Sequence, residues 1–225
     1  MKKMKIFAAL GVTALLLSWM GATHLSADEK PLKGIPLVWS PTEDVRSFKA
    51  VDLSVYKDVR FFVKPFNDLR KKPEEIGVNI ERRHFPEDMP VTTRDDVSQW
   101  LTYHFIKALS DFDIQVSKEK TPWTLEGEIV KFFVVEKNAY KAEVALKMRL
   151  LGKNNEVLWE DMIRGEATRV GKSYFDLNYY ESLSDAVLFA VHSLLNNPSF
   201  QQALKKGQSG LKTHRDPVEV STFRS

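Results

Sequence analysis

Period-two alternation of apolar and polar residues is strongest between residues 140 and 150. Tyr140, Ala142, Val144, Leu146, Met148 and Leu150 alternate with Lys141, Glu143, Ala145, Lys147 and Arg149. A strand with one buried and one wet face has this pattern. Upstream, Trp123, Leu125, Gly127 and Ile129 alternate with Thr124, Glu126 and Glu128. From Ile129 to Val135 both parities are mostly apolar, which predicts cover on both faces there. Downstream, Val157, Trp159 and Ile163 face inward against Glu160, Arg164 and Glu166. Short connections at 136–139 and 152–155 predict that the three strands form an antiparallel meander. Val59, Phe61 and Val63 share one parity and predict a further central strand. Pro65, which has no amide to donate, ends it.

Two segments carry three-and-four spacing instead. Val97, Trp100, Leu101, His104, Phe105, Ala108 and Leu109 form one stripe. Thr93 is expected to start that helix by capping the amide of Asp96. Leu183, Ala186, Val187, Ala190, Val191, Leu194 and Leu195 form the second stripe, preceded by capping-box spacing in Asn178-Tyr-Tyr-Glu181. Asn197-Pro198 breaks it, and Phe200 and Leu204 predict one more short helix ending near Gly207. Residues 67–90 read as a long polar connection interrupted only by Ile76-Gly-Val78.

A helical stripe must lie on something apolar, and the inner sheet face is the only candidate large enough. The predicted class is α+β: a mostly antiparallel sheet with two amphipathic helices packed on one face. Residues 58–206 are expected to form this single domain. Residues 28–57, broken by Pro31, Pro36 and Pro41, are expected to form an irregular N-terminal arm, and 207–225 a flexible tail.

The first 27 residues change the picture of where the protein works. Lys2, Lys3 and Lys5 precede an apolar run from Ile6 to Met20, and His24-Leu-Ser-Ala27 offers a small-residue exit. These are the parts of a cleavable secretory signal, with cleavage expected after Ala27 and Ala22 in reserve. At 15 residues the run is shorter than the ~20 that a membrane helix needs. The expected location is therefore the periplasm or outside the cell, with no transmembrane span left after cleavage.

Charge follows from that. The chain has 33 Lys and Arg against 30 Asp and Glu, and residues 1–27 hold three lysines and no acid. The remainder is balanced at 30 of each, so no basic footprint for nucleic acid is expected. With no cysteine in the chain, disulfides, thiolate nucleophiles and a lipid-bearing Cys after the cleavage site are all ruled out.

Candidate chemistry is sparse. His104 sits on the first stripe and reads as a hydrogen-bonded residue at the core edge. His192 lies beside the second stripe and is expected to be exposed, and His84 and His214 fall in polar segments. No pair of histidines has metal-ligand spacing on a helix, so no metal is expected. Glu126 and Glu128 share a strand face as a glycosidase pair would, which is also what any solvated strand shows. Asp111 and Asp113 lack further cation ligands. No nucleophile elbow, phosphate loop or dinucleotide fingerprint occurs, so neither catalytic residues nor a cofactor are assigned. The aromatics least explained by core periodicity are Trp39, Tyr140, Tyr174, Phe175, Tyr179 and Tyr180. Four of them fall in Ser173-Tyr-Phe-Asp-Leu-Asn-Tyr-Tyr180 ahead of the second helix. They are candidate partner-binding residues, the alternative being that they cover the sheet edge and staple the helix start.

Short motifs add a resemblance. Val63-Lys-Pro-Phe-Asn-Asp-Leu-Arg70, Ile76-Gly77, Trp123-Thr-Leu-Glu-Gly-Glu-Ile129 and Glu156-Val-Leu-Trp159, in this order around the two helices, resemble YajG-like lipoproteins. Related transport-auxiliary, LptE-like and TolB-amino-terminal-like domains share the arrangement, which covers roughly residues 59–205. The resemblance implies a non-enzymatic role in the bacterial envelope, with an envelope protein or transport complex as partner. Those families are mostly lipid-anchored, and the absence of Cys means the anchor is not shared. An exported hydrolase of cell-wall sugar or lipid, and a carrier of a small apolar ligand, are the alternative functions.

Overall fold

The computed structural model describes residues 32–81 and 87–213. The predicted signal segment, His84, His214 and the last residues of the predicted tail lie outside the described residues.

Three long strands form the centre: β6 (Trp123–Glu136), β7 (Tyr140–Leu151) and β8 (Val157–Arg169). They pair antiparallel in order, Ile129 opposite Leu146 and Leu146 opposite Ile163, as the alternation predicts. On its other side β6 carries three short parallel strands in tandem. These are β1 (Phe61–Val63), β2 (Asn67–Asp68) and β3 (Glu75–Asn79). β4 (Met89–Thr92) pairs antiparallel with β3, and β5 (Val116–Ser117) pairs parallel with β1. The result is an eight-stranded mixed sheet in which the long ladders are antiparallel.

Three readings change here. Residues 67–90 are not a plain connection, because β2 and β3 lie within them and β4 begins there. Each is short and pairs with only a few residues of its neighbour, so none has room for a period. The double apolar parity from Ile129 to Val135 is not cover on both faces. A bulge between Ile129 and Lys131 switches the inward parity from Ile129 to Phe132 and Val134. Val130 absorbs the switch and is exposed. The first helix, α1 (Val97–Asp111), starts at Asp96, whose carboxylate accepts the Gln99 amide at 3.0 Å. Thr93 instead takes the Asp95 amide in a local turn, at 3.1 Å.

α1 and α2 (Asp176–Leu195) lie on one face of the sheet. Val97, Leu101, Phe105, Ala108 and Leu109 of α1 are buried, as are Leu183, Ala186, Val187, Ala190, Val191, Leu194 and Leu195 of α2. α2 runs over β7 and β8. Gly165 of β8 permits this approach, because a Cβ there would stand inside the Ala186 carbonyl and the Ala190 amide. Fifteen of the twenty residues of α2 are buried, polar ones included, so its far side is also covered.

The cover is the segment from Leu32 to Tyr56, two 3-10 turns (Val45–Ser47 and Leu53–Tyr56) in an otherwise extended run. Asp185 of α2 accepts the Thr42 amide at 2.7 Å, the Thr42 hydroxyl at 2.6 Å and the Glu43 amide at 3.1 Å. Ser184 takes the Ser40 amide and Asp95 the Leu37 amide.

α3 (Pro198–Thr213) is longer than the periodicity implies and does not end near Gly207. Asn197 caps it by accepting the Ser199 and Phe200 amides, and Pro198 occupies the first helical position. Gly207 remains helical because it is a contact point. A Cβ there would lie 2.6 Å from the Trp123 ring. The tail expected from residue 207 is therefore helical at its start.

Candidate partner-binding site

The aromatic run before α2 is built inward. α2 begins at Asp176, five residues before Glu181, so Asn178 and Glu181 form no capping box. Asn178 instead donates back to the Lys172 carbonyl at 2.9 Å, and Glu181 pairs with Arg169. Tyr179 is wholly buried, Tyr180 and Tyr174 nearly so, and Phe175 alone of the four keeps substantial exposure, at 42%.

The Tyr179 hydroxyl and the backbone of the segment before α2 meet on one carboxylate, while the Tyr174 hydroxyl accepts the Leu32 amide and the Tyr180 hydroxyl donates to Asp176. Glu136, 1% exposed, ends the inward parity of β6 after Phe132 and Val134. Its Oε2 accepts the Tyr179 hydroxyl at 2.8 Å, and its Oε1 accepts the Tyr174 amide at 2.7 Å. The Ser173 hydroxyl lies 2.8 Å from both Glu136 Oε1 and Glu81 Oε2, with one proton to give to the two. Tyr140 donates to the Lys172 carbonyl at 2.6 Å and accepts the Phe175 amide. Burial, with the Glu136 charge beside it, pushes the Tyr179 hydroxyl far above the ordinary tyrosine value. Burial pushes Tyr140 up to about 12. Neither phenol supplies a proton at neutral pH. The cluster is a latch that holds the 171–175 segment onto the sheet end.

The fifth candidate, Trp39, is half-buried against α1. Its ring stacks on His104 at 4.6 Å and 11°, and Trp100 meets the same imidazole at 4.3 Å. Trp39 therefore does not join the other four. His104 Nδ1 lies 2.8 Å from the Trp100 carbonyl, and burial holds its pKa below the usual histidine value. His192 is half-buried rather than exposed, its Nε2 2.9 Å from the Lys49 carbonyl and its ring against Phe48.

Glu126 and Glu128 do share the outer sheet face, within a charge lattice. Glu126 pairs with Lys64, Glu128 lies 4.0 Å from Arg149, and Arg149 pairs with Glu160 across to β8. Lys147 lies 3.1 Å from Glu160, and Lys131 pairs with Glu143. The shallow depression over Glu126 and Glu128 holds about 190 Å³ and brings Lys64, Lys147 and Arg149 beside them. Each of the two carboxylates thus has a cation beside it. Asp111 is paired with Lys107 at 2.8 Å. Among the described residues no group of acids and histidines is placed to hold a metal ion, and no helix is long and apolar enough to cross a membrane.

Unpaired backbone runs along one edge of the sheet among the described residues. Lys64 and Leu69 donate to the carbonyls of Leu125 and Ile129, so odd residues of β6 before the bulge point away from β7. Even residues of β7 then face β8, and through the Tyr140–Arg169 register they bond its odd residues. The even residues of β8 point outward. Among the described residues β8 pairs only with β7, which leaves a 13-residue strand with one open edge. Sequence reasoning located β8 without signalling that its edge is open, because pairing partners leave no mark in a single strand. It also missed Glu136 and Asp185. Glu136 was hidden because the bulge at Val130, not the sequence period, brings it to inward parity. A signal was present for Tyr179, which precedes Leu183 by four residues and extends the stripe by a turn.

No protein-family model matches the sequence, and no curated protein does. Among solved structures the chain is similar to a Xanthomonas campestris protein of the DUF330 family. That match has 12% identity and a TM-score of 0.47 over 68% of this chain and 88% of the other. It is also similar to a subunit of the PelC dodecamer from Paraburkholderia phytofirmans. Here the identity is 13% and the TM-score 0.36 over 76% of this chain and 95% of the other. Both are bacterial proteins.

Proposed function

We propose that this chain is an exported, non-enzymatic accessory of the bacterial envelope that holds a partner protein. The open edge of β8 carries this reading. A long strand with unsatisfied outward amides and carbonyls is a template for another chain. The polar side chains found elsewhere support it. Glu136 and Asp185 are consumed in holding segments of the chain together, and the outer-face acids are paired with Lys and Arg. The signal-like residues 1–27 support export, and the resemblance to YajG-like and LptE-like domains supports an envelope setting.

Photo-crosslinking of the full chain in intact cells, followed by fractionation and mass spectrometry, tests this. The expected result is a processed chain in the envelope fraction, crosslinked to an envelope protein. Recovery from the cytosol with residues 1–27 attached, or of monomer alone under every growth condition, would overturn it.

A further inference from the structure

The edge of β8 is not uniformly open. Its middle is plugged: Asp161 Oδ1 accepts the outward Met162 amide at 2.7 Å. Asn197 of the α2–α3 junction holds the other oxygen of that carboxylate at 3.2 Å. Beyond the plug the outward amides of Arg164, Glu166 and Thr168 have no acceptor among the described residues. A groove of about 430 Å³ runs beside this half. Glu166, Thr168 and Val170 form one bank, Thr42 and Glu43 of the arm the other, and Phe189 of α2 contributes to the floor. Val170 is 81% exposed, an apolar foothold where the strand ends.

The groove is acidic. Glu43, Glu166 and Asp185 line it, with Arg169 the one cation. Arg169 already pairs with Glu181, so it does not offset the three acids. Arg164 and Glu166 share the outward parity of β8 and flank its edge on the outer sheet face, Arg164 3.7 Å from Glu143, whereas Glu43 stands on the side of α2 and the arm.

We infer that the C-terminal half of β8 and this groove take an extended segment of a partner protein bearing lysine or arginine, added as a further strand. The inference rests on the partner-holding role proposed above and names its surface. Main-chain bonds to residues 164, 166 and 168 supply the affinity, with Glu43 selecting cationic side chains on the helix-covered face of the incoming strand and Glu166 on the outer face.

The test uses the chain after signal removal and two synthetic peptides, one alternating lysine with valine and one alternating glutamate with valine. The lysine peptide is expected to slow hydrogen exchange at the amides of Arg164, Glu166 and Thr168 by at least ~tenfold at saturation, with Met162 unchanged. Reversing both acids (Glu43→Lys with Glu166→Lys) is expected to weaken that peptide by at least ~tenfold. Thr168→Pro removes an outward amide and leaves the ladder to β7 intact. It is expected to abolish the added protection while the Ile163, Gly165 and Ala167 amides stay as slow as before. Equal binding of the glutamate peptide, protection at other amides, or protection that rises with protein concentration without peptide would overturn the inference. Envelope crosslinks mapping to another surface would also overturn it, while leaving the accessory role standing.

Discussion

Tyr179 brings a hydroxyl into the core for one acceptor. Its ring extends the buried stripe of α2, and its oxygen reaches Glu136 at 2.8 Å. A neutral donor to a buried carboxylate contributes about 1.5–3 kcal/mol, more than a surface ion pair does. Tyr179→Phe keeps the ring and removes only that bond. It is expected to lower unfolding free energy by about 1.5–3 kcal/mol at unchanged urea dependence. Urea titration followed by circular dichroism checks this, and a change under ~0.5 kcal/mol would mean that Ser173 and the Tyr174 amide already satisfy Glu136. The same residues mark what a sequence can tell at this scale. Tyr174, Phe175, Tyr179 and Tyr180 stand out because they fit no obvious period, and they do belong together. Their direction was hidden because the helix starts at Asp176 rather than Asn178. With the cap at Phe175 rather than Asn178, Tyr179 and Tyr180 sit a turn deeper in the helix.

Elements were legible where one face is wet and the other dry. β7 needs one correction, since Tyr140 to Leu150 alternate along its length except at Ala145, which is buried despite its outward parity. β6 was read at the right place with the wrong consequence, because a single inserted residue, Val130, resets parity without a compositional mark. β3 was missed because a parallel strand of five residues with Gly77 at its centre takes its stability from β6 and β4 rather than from its own pattern. Gly165 is the most exacting residue at this scale. Any Cβ there would meet backbone of Ala186 and Ala190, and neither can swing aside as a side chain tip does. Gly165→Ala is expected to cost about 3 kcal/mol, the upper end of the range for overpacking. For a domain of this size that is a fall in Tm of roughly 6–12 °C. Differential scanning calorimetry checks it, and a fall of under ~2 °C would show that α2 has slack over β8.

At the scale of the whole molecule the fold is three layers, not two. The sheet lies under α1 and α2, and the arm lies over α2, which explains how a helix with buried Asn178, Glu181, Ser184 and Asp185 is tolerated. A buried carboxylate costs several kcal/mol unless donors surround it, and Asp185 receives three, all from Thr42 and Glu43. The arm has a second fastening further on. Phe48 packs against Phe112, Phe189 and His192, and the Tyr56 hydroxyl reaches the Leu195 carbonyl at 2.6 Å. Removing the first fastening should therefore free residues 40–46 without unfolding the domain. In Asp185→Ala the three donors lose their acceptor but gain water as the arm lifts, so the global cost is held to about 1–3 kcal/mol. Tryptic cleavage at Arg46 is then expected to quicken by at least ~tenfold, because proteolysis follows the population of the open segment. The fragment from residue 47 onward should keep native circular dichroism. Unchanged cleavage would mean that Phe48 and Tyr56 hold the arm unaided. Wholesale degradation would mean that arm and α2 fold as one unit, and that the bank of the groove formed by Thr42 and Glu43 cannot move independently of the sheet it faces.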